Sequence, residues 1–320
     1  MTIKNIKNMK QTLLLIFIAF AIGVNAQNDE KEGWDKGLTI GLNGSQTSFY
    51  NWAKGGENQI SLSGNIVGKA NYLNENISWD NLLLMDLGSS RQGKQDWRKG
   101  DDRFEYNTIF GKKAKDKWYY SALFNFKTQF TTGYEFADDG SATYISNFMA
   151  PAHIKIGLGM DYKPNKDLSV FISPATAKWT IVKDQALADA GKFGLEPAET
   201  IKAVDGSDSI IITPANKVRT EFGALVRLTY SKDIMKNVNF GTILELYSNY
   251  LQNPLNIDVD WEFIFTLKVN DFLNAQVKGH LIYDDDVMID IDSNGDGSFD
   301  TQGPRTQFNE ALTIGIVYKL

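Results

Sequence analysis

Residues Arg305–Leu320 read RTQFNEALTIGIVYKL. From Leu312 the even positions carry Leu312, Ile314, Ile316, Tyr318 and Leu320, while the odd positions carry the smaller or polar Thr313, Gly315, Val317 and Lys319. Successive side chains of a strand point to opposite faces, so this stretch presents one unbroken apolar face that ends in an aromatic ring. A half-buried strand of a soluble sheet would alternate in the same way. The rest of the chain separates the two readings.

Residues 1–26 have the layout of a secretory leader. Lys4, Lys7 and Lys10 precede an apolar run from Leu13 to Val24, and Val24-Asn25-Ala26 places a small residue at the expected cleavage point, so the mature chain is expected to begin at Gln27. A retained anchor is the competing reading, although the apolar run is short for a spanning helix. The sequence contains no cysteine, which excludes disulfides, thiolate chemistry and a lipid-anchored leader. No later stretch is apolar and long enough for a transmembrane helix. The net charge of −6 argues against nucleic acid as a partner. Twelve per cent aromatics and 27 glycines suit a soluble β-protein and a membrane barrel alike, because only alternate residues of a barrel strand face lipid.

From residue 37 onward the chain divides into about twelve segments of period-two patterning. They are 37–50, 58–73, 77–90, 102–113, 117–131, 151–163, 167–180, 217–232, 237–252, 255–270, 273–289 and 306–320. In 255–270, Ile257, Val259, Trp261, Phe263, Phe265 and Leu267 alternate with Asp258, Asp260, Glu262, Thr266 and Lys268. These segments exceed the usual five or six residues of a globular strand and suit a tilted membrane strand. Short connections alternate with longer, irregular ones, notably 91–101, 132–150, 181–216 and 290–305. Short turns on the periplasmic side and long loops outside are the arrangement of an outer-membrane barrel. The expected fold is therefore all-β: a single closed antiparallel transmembrane barrel of about twelve strands over residues 27–320. The one helical pattern, Asp184–Phe193, falls in the 181–216 loop, as a lid or plug or as a plain surface helix.

Three short stretches carry a resemblance. They are Asn51-Trp52-Ala53-Lys54-Gly55-Gly56-Glu57-Asn58, Tyr283-Asp284-Asp285-Asp286 and Gln307-Phe308-Asn309-Glu310. Together they resemble an uncharacterised family of Bacteroidota outer-membrane proteins, a domain of unknown function. The resemblance implies a barrel in the outer membrane and assigns no activity. The ending Thr313-x-Gly315-x-x-Tyr318-x-Leu320 is similar to the signal read by the barrel-assembly machinery, although many such signals end in Phe where this chain has Leu320. That similarity implies the assembly machinery and outer-membrane lipid as partners.

Three groups of residues could carry chemistry. Asp290, Asp292, Asn294 and Asp296, with Gly295 and then Asp300, have the oxygen-ligand spacing that opens a calcium loop, with Thr301 where a bidentate Glu would stand. A solvated acidic turn built on Asn-Gly and Asp-Gly fits the same residues, so Ca2+ is an alternative and no other cofactor is expected. Asp284 and Asp286 share a face with Lys278 and His280, a grouping able to act as a general base. His153 lies on the same inward side, but no Gly-x-Ser-x-Gly elbow accompanies them. The chain is read as non-enzymatic, with an outer-membrane lipid hydrolase as the remaining enzymatic alternative.

The third group is the inward face. Lys69, Asp80, Asp86, Arg103, Glu105, Lys127, Lys155, Asp161, Arg227, Glu245, Asp260, Glu262, Lys268, Lys278, His280 and Asp284 are expected to line the lumen, since a charge in hydrocarbon costs several kcal/mol. Their mixed signs leave two readings open. One is a narrow porin-like channel for small polar solutes; the other is a barrel closed by charge pairing, serving as a structural or accessory subunit with an envelope protein as partner.

Overall fold

The computed structural model of the chain describes residues 32–50, 56–136, 140–201, 210–291 and 300–320. The expected leader lies outside these residues, as do Asp292, Asn294 and Asp296 of the acidic loop, so the calcium expectation lies outside the described residues too.

Each of the twelve alternating segments becomes a strand of one closed antiparallel barrel. The circuit runs through β1 (Gly33–Thr47), β2 (Gln59–Leu73), β3 (Ile77–Gln92), β4 (Arg98–Lys115), β5 (Trp118–Thr128), β8 (Ala152–Asn165) and β9 (Leu168–Ile181). It continues through β12 (Val218–Met235), β13 (Val238–Asn249), β14 (Asp258–Lys268), β15 (Leu273–Tyr283) and β18 (Gln307–Lys319), which returns to β1. The remaining strands form two-stranded hairpins in the long loops: β6 (Gly133–Phe136) with β7 (Ala142–Ser146), β10 (Glu199–Ile201) with β11 (Ile210–Thr213), and β16 (Ile289–Ile291) with β17 (Thr301–Gly303). Among the described residues no helix is long and apolar enough to cross a membrane.

Closure brings Ile40 opposite Tyr318, Leu42 opposite Ile316 and Gly44 opposite Ile314. Gly315 is required at this seam, because a Cβ there would lie 2.1 Å from Asn43 Oδ1 and 2.7 Å from the Leu42 carbonyl oxygen. With β18 paired on both sides, neither partner leaves a free edge, which hydrocarbon would not tolerate.

The wall is inside out relative to a soluble barrel. Leu312, Ile314 and Ile316 are 68%, 60% and 58% exposed on the outer surface, whereas the most buried residues include Asn125, Asp161, Lys178, Glu221, Arg227 and Glu245. An outer wall of this kind is matched to lipid, and the polar set must then satisfy itself inside.

Asparagines set several of the short turns. Asn74, Asn165 and Asn270 each accept hydrogen bonds at Oδ1 from two backbone N–H groups just ahead, closing the β2–β3, β8–β9 and β14–β15 turns. Asp116 and Asn237 supply left-handed residues (φ 50° and 65°) to the β4–β5 and β12–β13 turns. The strand expected over 273–289 ends at Tyr283, so Asp284–Asp286 belong to a turn: Asp284 Oδ1 accepts from the Asp286 N–H at 2.9 Å. In the 182–217 loop a helix runs only over Gln185–Asp189, capped by Asp184. It buries Leu187 and Ala188 against Ala150, Val182 and Leu195, so it is packed onto the barrel's long-loop end.

Candidate functional site

Inward-facing charges from opposite walls meet in the middle of the lumen. Arg103 on β4 donates through Nη1 to both carboxylate oxygens of Glu262 on β14, at 2.8 and 2.7 Å. β5, β8, β9, β12 and β13 lie between these strands on one side, and β3, β2, β1, β18 and β15 on the other, so the pair spans the barrel's diameter. The same guanidinium donates from Nε to Asp86 on β3 at 2.8 Å, and a planar fork suits two carboxylates at once.

Other pairs brace this central bond. Lys127 on β5 reaches Asp260 on β14 at 3.2 Å. Lys155 on β8 and Arg227 on β12 both bind Glu245 on β13. Asn125 donates to Glu105 at 2.9 Å, and Lys278 on β15 approaches Asp86 at 3.9 Å. The layer therefore balances five cations (Arg103, Lys127, Lys155, Arg227, Lys278) against five carboxylates (Asp86, Glu105, Glu245, Asp260, Glu262). The space left among Glu105, Lys127, Lys155, Arg227, Glu245 and Asp260 is about 20 Å3, the size of about one water.

Ile109 and Leu123, on the short-turn side of Glu105 and Asn125, and Leu225 and Tyr247, on the long-loop side of Arg227 and Glu245, meet Phe171 in an apolar cluster inside the barrel. Asp161, nearer the short turns, accepts from Ser169 at 2.7 Å and faces Lys163, which also binds Asp80. Above it, Lys178 lies 3.3 Å from Glu221 and 3.5 Å from Asp258. Arg219 binds Asp286 and donates to the Gly194 carbonyl at 3.3 Å, tying two long loops together across the mouth.

Of the residues expected in the lumen, Lys127, Lys155, Arg227, Glu245, Glu262, Lys278 and His280 converge on the central layer. Two do not. Lys268 has the inward parity but is the last residue of β14, half exposed at the short-turn rim and paired with Asp271 of the turn at 2.9 Å. That contact holds the Asp271 carboxyl below its ordinary value, through the hydrogen bond first and charge second. Asp284 lies past the end of β15 at the long-loop rim, as its turn geometry requires.

Lys178, Arg219 and Glu221 and the apolar cluster are absent from the sequence-level expectation. For Lys178 the reason is local. Leu158 and Met160 of β8 pair with Ala175 and Ile172, and Gly223 and Leu225 of β12 pair with Thr176 and Ser173, so β9 carries an extra residue around Pro174. This bulge puts Ser173 and Thr176 on the same inward face and breaks the odd–even count. Gly159 accommodates it, since a Cβ there would lie 2.0 Å from the Ile172 carbonyl oxygen.

Asp260, Glu262 and His280 bring ligand atoms within 4.8 Å of one another, the spacing of a cation site. Their charge is already matched by Lys127 and Arg103, and His280 Nε2 is 2.8 Å from Asp260. His153 Nδ1 is 3.2 Å from Thr180 Oγ1, also on the inward face. At the seam, Tyr318 is exposed on the outer wall, Thr313 and Gly315 face inward, and the Leu320 N–H donates to the Leu38 carbonyl at 2.8 Å.

No curated protein sequence matches the chain. Among solved structures, it is similar to the translocator domain of the autotransporter NalP from Neisseria meningitidis (12% identity, 98% of this chain and 95% of that one, TM-score 0.37). It is also similar to the NanC porin (13%, 88% and 100%, 0.34) and to an outer-membrane channel from Pseudomonas putida F1 (10%, 93% and 100%, 0.37). These overlays are loose, and the barrel stands on its own strand pairing. Residues 45–134, from the end of β1 into β6, match the model of a family described as "Protein of unknown function (DUF3078)"; the match includes Asn51–Asn58 but neither Tyr283–Asp286 nor Gln307–Glu310.

Proposed function

We propose that this chain is an integral outer-membrane barrel, exported by a cleavable leader, that acts as a structural or accessory subunit and not as an open pore. The observation that carries this reading is the Arg103–Glu262 pair, which joins opposite walls at 2.7–2.8 Å across the lumen. Short turns face the periplasm, and the terminal strand, with its Gly315, Tyr318 and Leu320, is the part offered to the assembly machinery. The reading is non-enzymatic: both histidines are engaged inside the lumen, away from the lipid-facing wall where a lipid hydrolase would need them. Purification from native membranes should retain an envelope protein on the barrel, and planar bilayers should register no conductance steps. Conductance without a partner would refute the reading.

One feature favours a narrow channel for small polar solutes as the second reading. Asn43, Asn274, Gln276 and Thr313, on the β15–β18–β1 side of the lumen, each have a buried oxygen without a hydrogen-bond partner among the described residues. Such a strip suits hydration, and with it a path beside the ion pairs. Asn274→Leu with Gln276→Leu would then abolish any conductance.

A further inference from the structure

The lipid-facing wall carries a groove of about 350 Å3 lined by Trp79, Thr108, Phe110, Ala122, Phe124 and Ile156. Its origin lies in the register. Ala122 pairs with Phe110 on one side and Leu158 on the other, so one small side chain sits among large ones and leaves a gap. The rim is fixed: Trp79 Nε1 donates to Thr108 Oγ1 at 2.8 Å, and the indole packs edge-on against Phe110 at 6.2 Å.

Directly below the groove, on the same face, Lys112 pairs with Tyr120, and the chain then runs Lys113-Ala114-Lys115-Asp116-Lys117 through the β4–β5 turn. Lys112, Lys113, Lys115 and Lys117 are exposed, and among the described residues none is in an ion pair. Asp116 is the one carboxylate in 112–117. An excess of this size is notable in a chain whose net charge is −6.

We infer that this groove and its lysines form a site for one anionic phospholipid of the leaflet at the short-turn side, with an acyl chain against Trp79, Phe110 and Ala122 and the phosphate between Lys112 and Lys115, which pair with the outward Tyr120 and Trp118. Charge complementarity and depth select this occupant. Lysines at headgroup level attract anionic lipid, and an apolar groove that opens onto hydrocarbon is out of reach of a soluble partner. The volume is at the low end of small-ligand cavities, enough for part of one chain. The inference rests on the membrane-spanning reading above.

The test is quenching of tryptophan fluorescence in phosphatidylcholine vesicles holding the full-length barrel, doped with brominated phosphatidylglycerol or with brominated phosphatidylcholine. The Trp79 share is the difference between the wild type and Trp79→Phe. The site requires brominated phosphatidylglycerol to quench that share at a roughly tenfold lower mole fraction than brominated phosphatidylcholine. Lys112→Gln/Lys115→Gln should lower the preference at least about fivefold, the effect of a single lysine at a membrane surface. Ala122→Phe should remove it by filling the groove, with heat-dependent gel mobility showing that each variant is folded. Equal quenching by both lipids, or a preference that survives either folded variant, overturns the site. Glycerol phosphate should not relieve the quenching; relief would mean a headgroup-only charge site and also overturn the assignment. Quenching by neither lipid would instead refute membrane insertion itself.

Discussion

Arg103 on β4 and Glu262 on β14 lie 159 residues apart in sequence and on opposite walls of the barrel, yet they share two hydrogen bonds of 2.7 and 2.8 Å. Such a bond gains little net stability, because both ions lose water to form it. Its consequence is geometric: it ties opposite walls together and fixes the two halves of the barrel at one separation.

Removing one partner leaves the other charge part-buried without its main counter-ion: Arg103 would keep Asp86 at 2.8 Å, and Glu262 only Lys127 at 4.0 Å and His280 at 3.9 Å. Arg103→Ala should therefore cost about 3–5 kcal/mol, and Glu262→Ala a similar amount. The double variant should cost less than the sum of the two, since the pair shares one interaction. Urea unfolding in detergent micelles, followed by intrinsic fluorescence, measures all three. Additive losses would show that the two residues do not depend on each other.

The apolar cluster beside the charges makes a different prediction. Phe171 is 0% exposed and touches the small inward positions of β8, where a Cβ on Gly157 would lie 3.4 Å from its ring. Phe171→Ala should cost about 3–5 kcal/mol through the cavity it leaves. Because the ion-pair layer is intact, bilayer conductance should not change. Stability and conductance then separate two layers of the same lumen.

Seam closure can be tested at Gly315. Gly315→Val places its Cβ against Asn43 Oδ1 and the Leu42 carbonyl, so β18 cannot close on β1. The fraction of chain showing the gel mobility of a folded barrel should fall sharply. Asn43→Ala should restore only part of it, since the clash with the Leu42 backbone persists. Full rescue would place the whole conflict in the side chain.

Much of this architecture is legible in the sequence, and the exceptions have identifiable causes. Alternation such as Trp261-Glu262-Phe263 marks the strands and their faces, because hydrocarbon outside and charge inside leave few other solutions. The β9 bulge at Pro174 reverses the count within one strand, which hides Lys178. Lys268 keeps inward parity at the very end of its strand and Asp284 beyond the end of its own, so parity alone overextends the lumen. The β6–β7, β10–β11 and β16–β17 hairpins are too short for a periodic signal. Alternation assigns a face but not a height, so it could not place Arg103 level with Glu262; barrel shear decides that.

The most direct test of the closed lumen is single-channel recording of the purified barrel in planar bilayers, wild type beside Arg103→Ala/Glu262→Ala. The account predicts a silent wild type and discrete conductance steps in the double variant, where the bond across the diameter is gone. Steps of equal size in both proteins would contradict it.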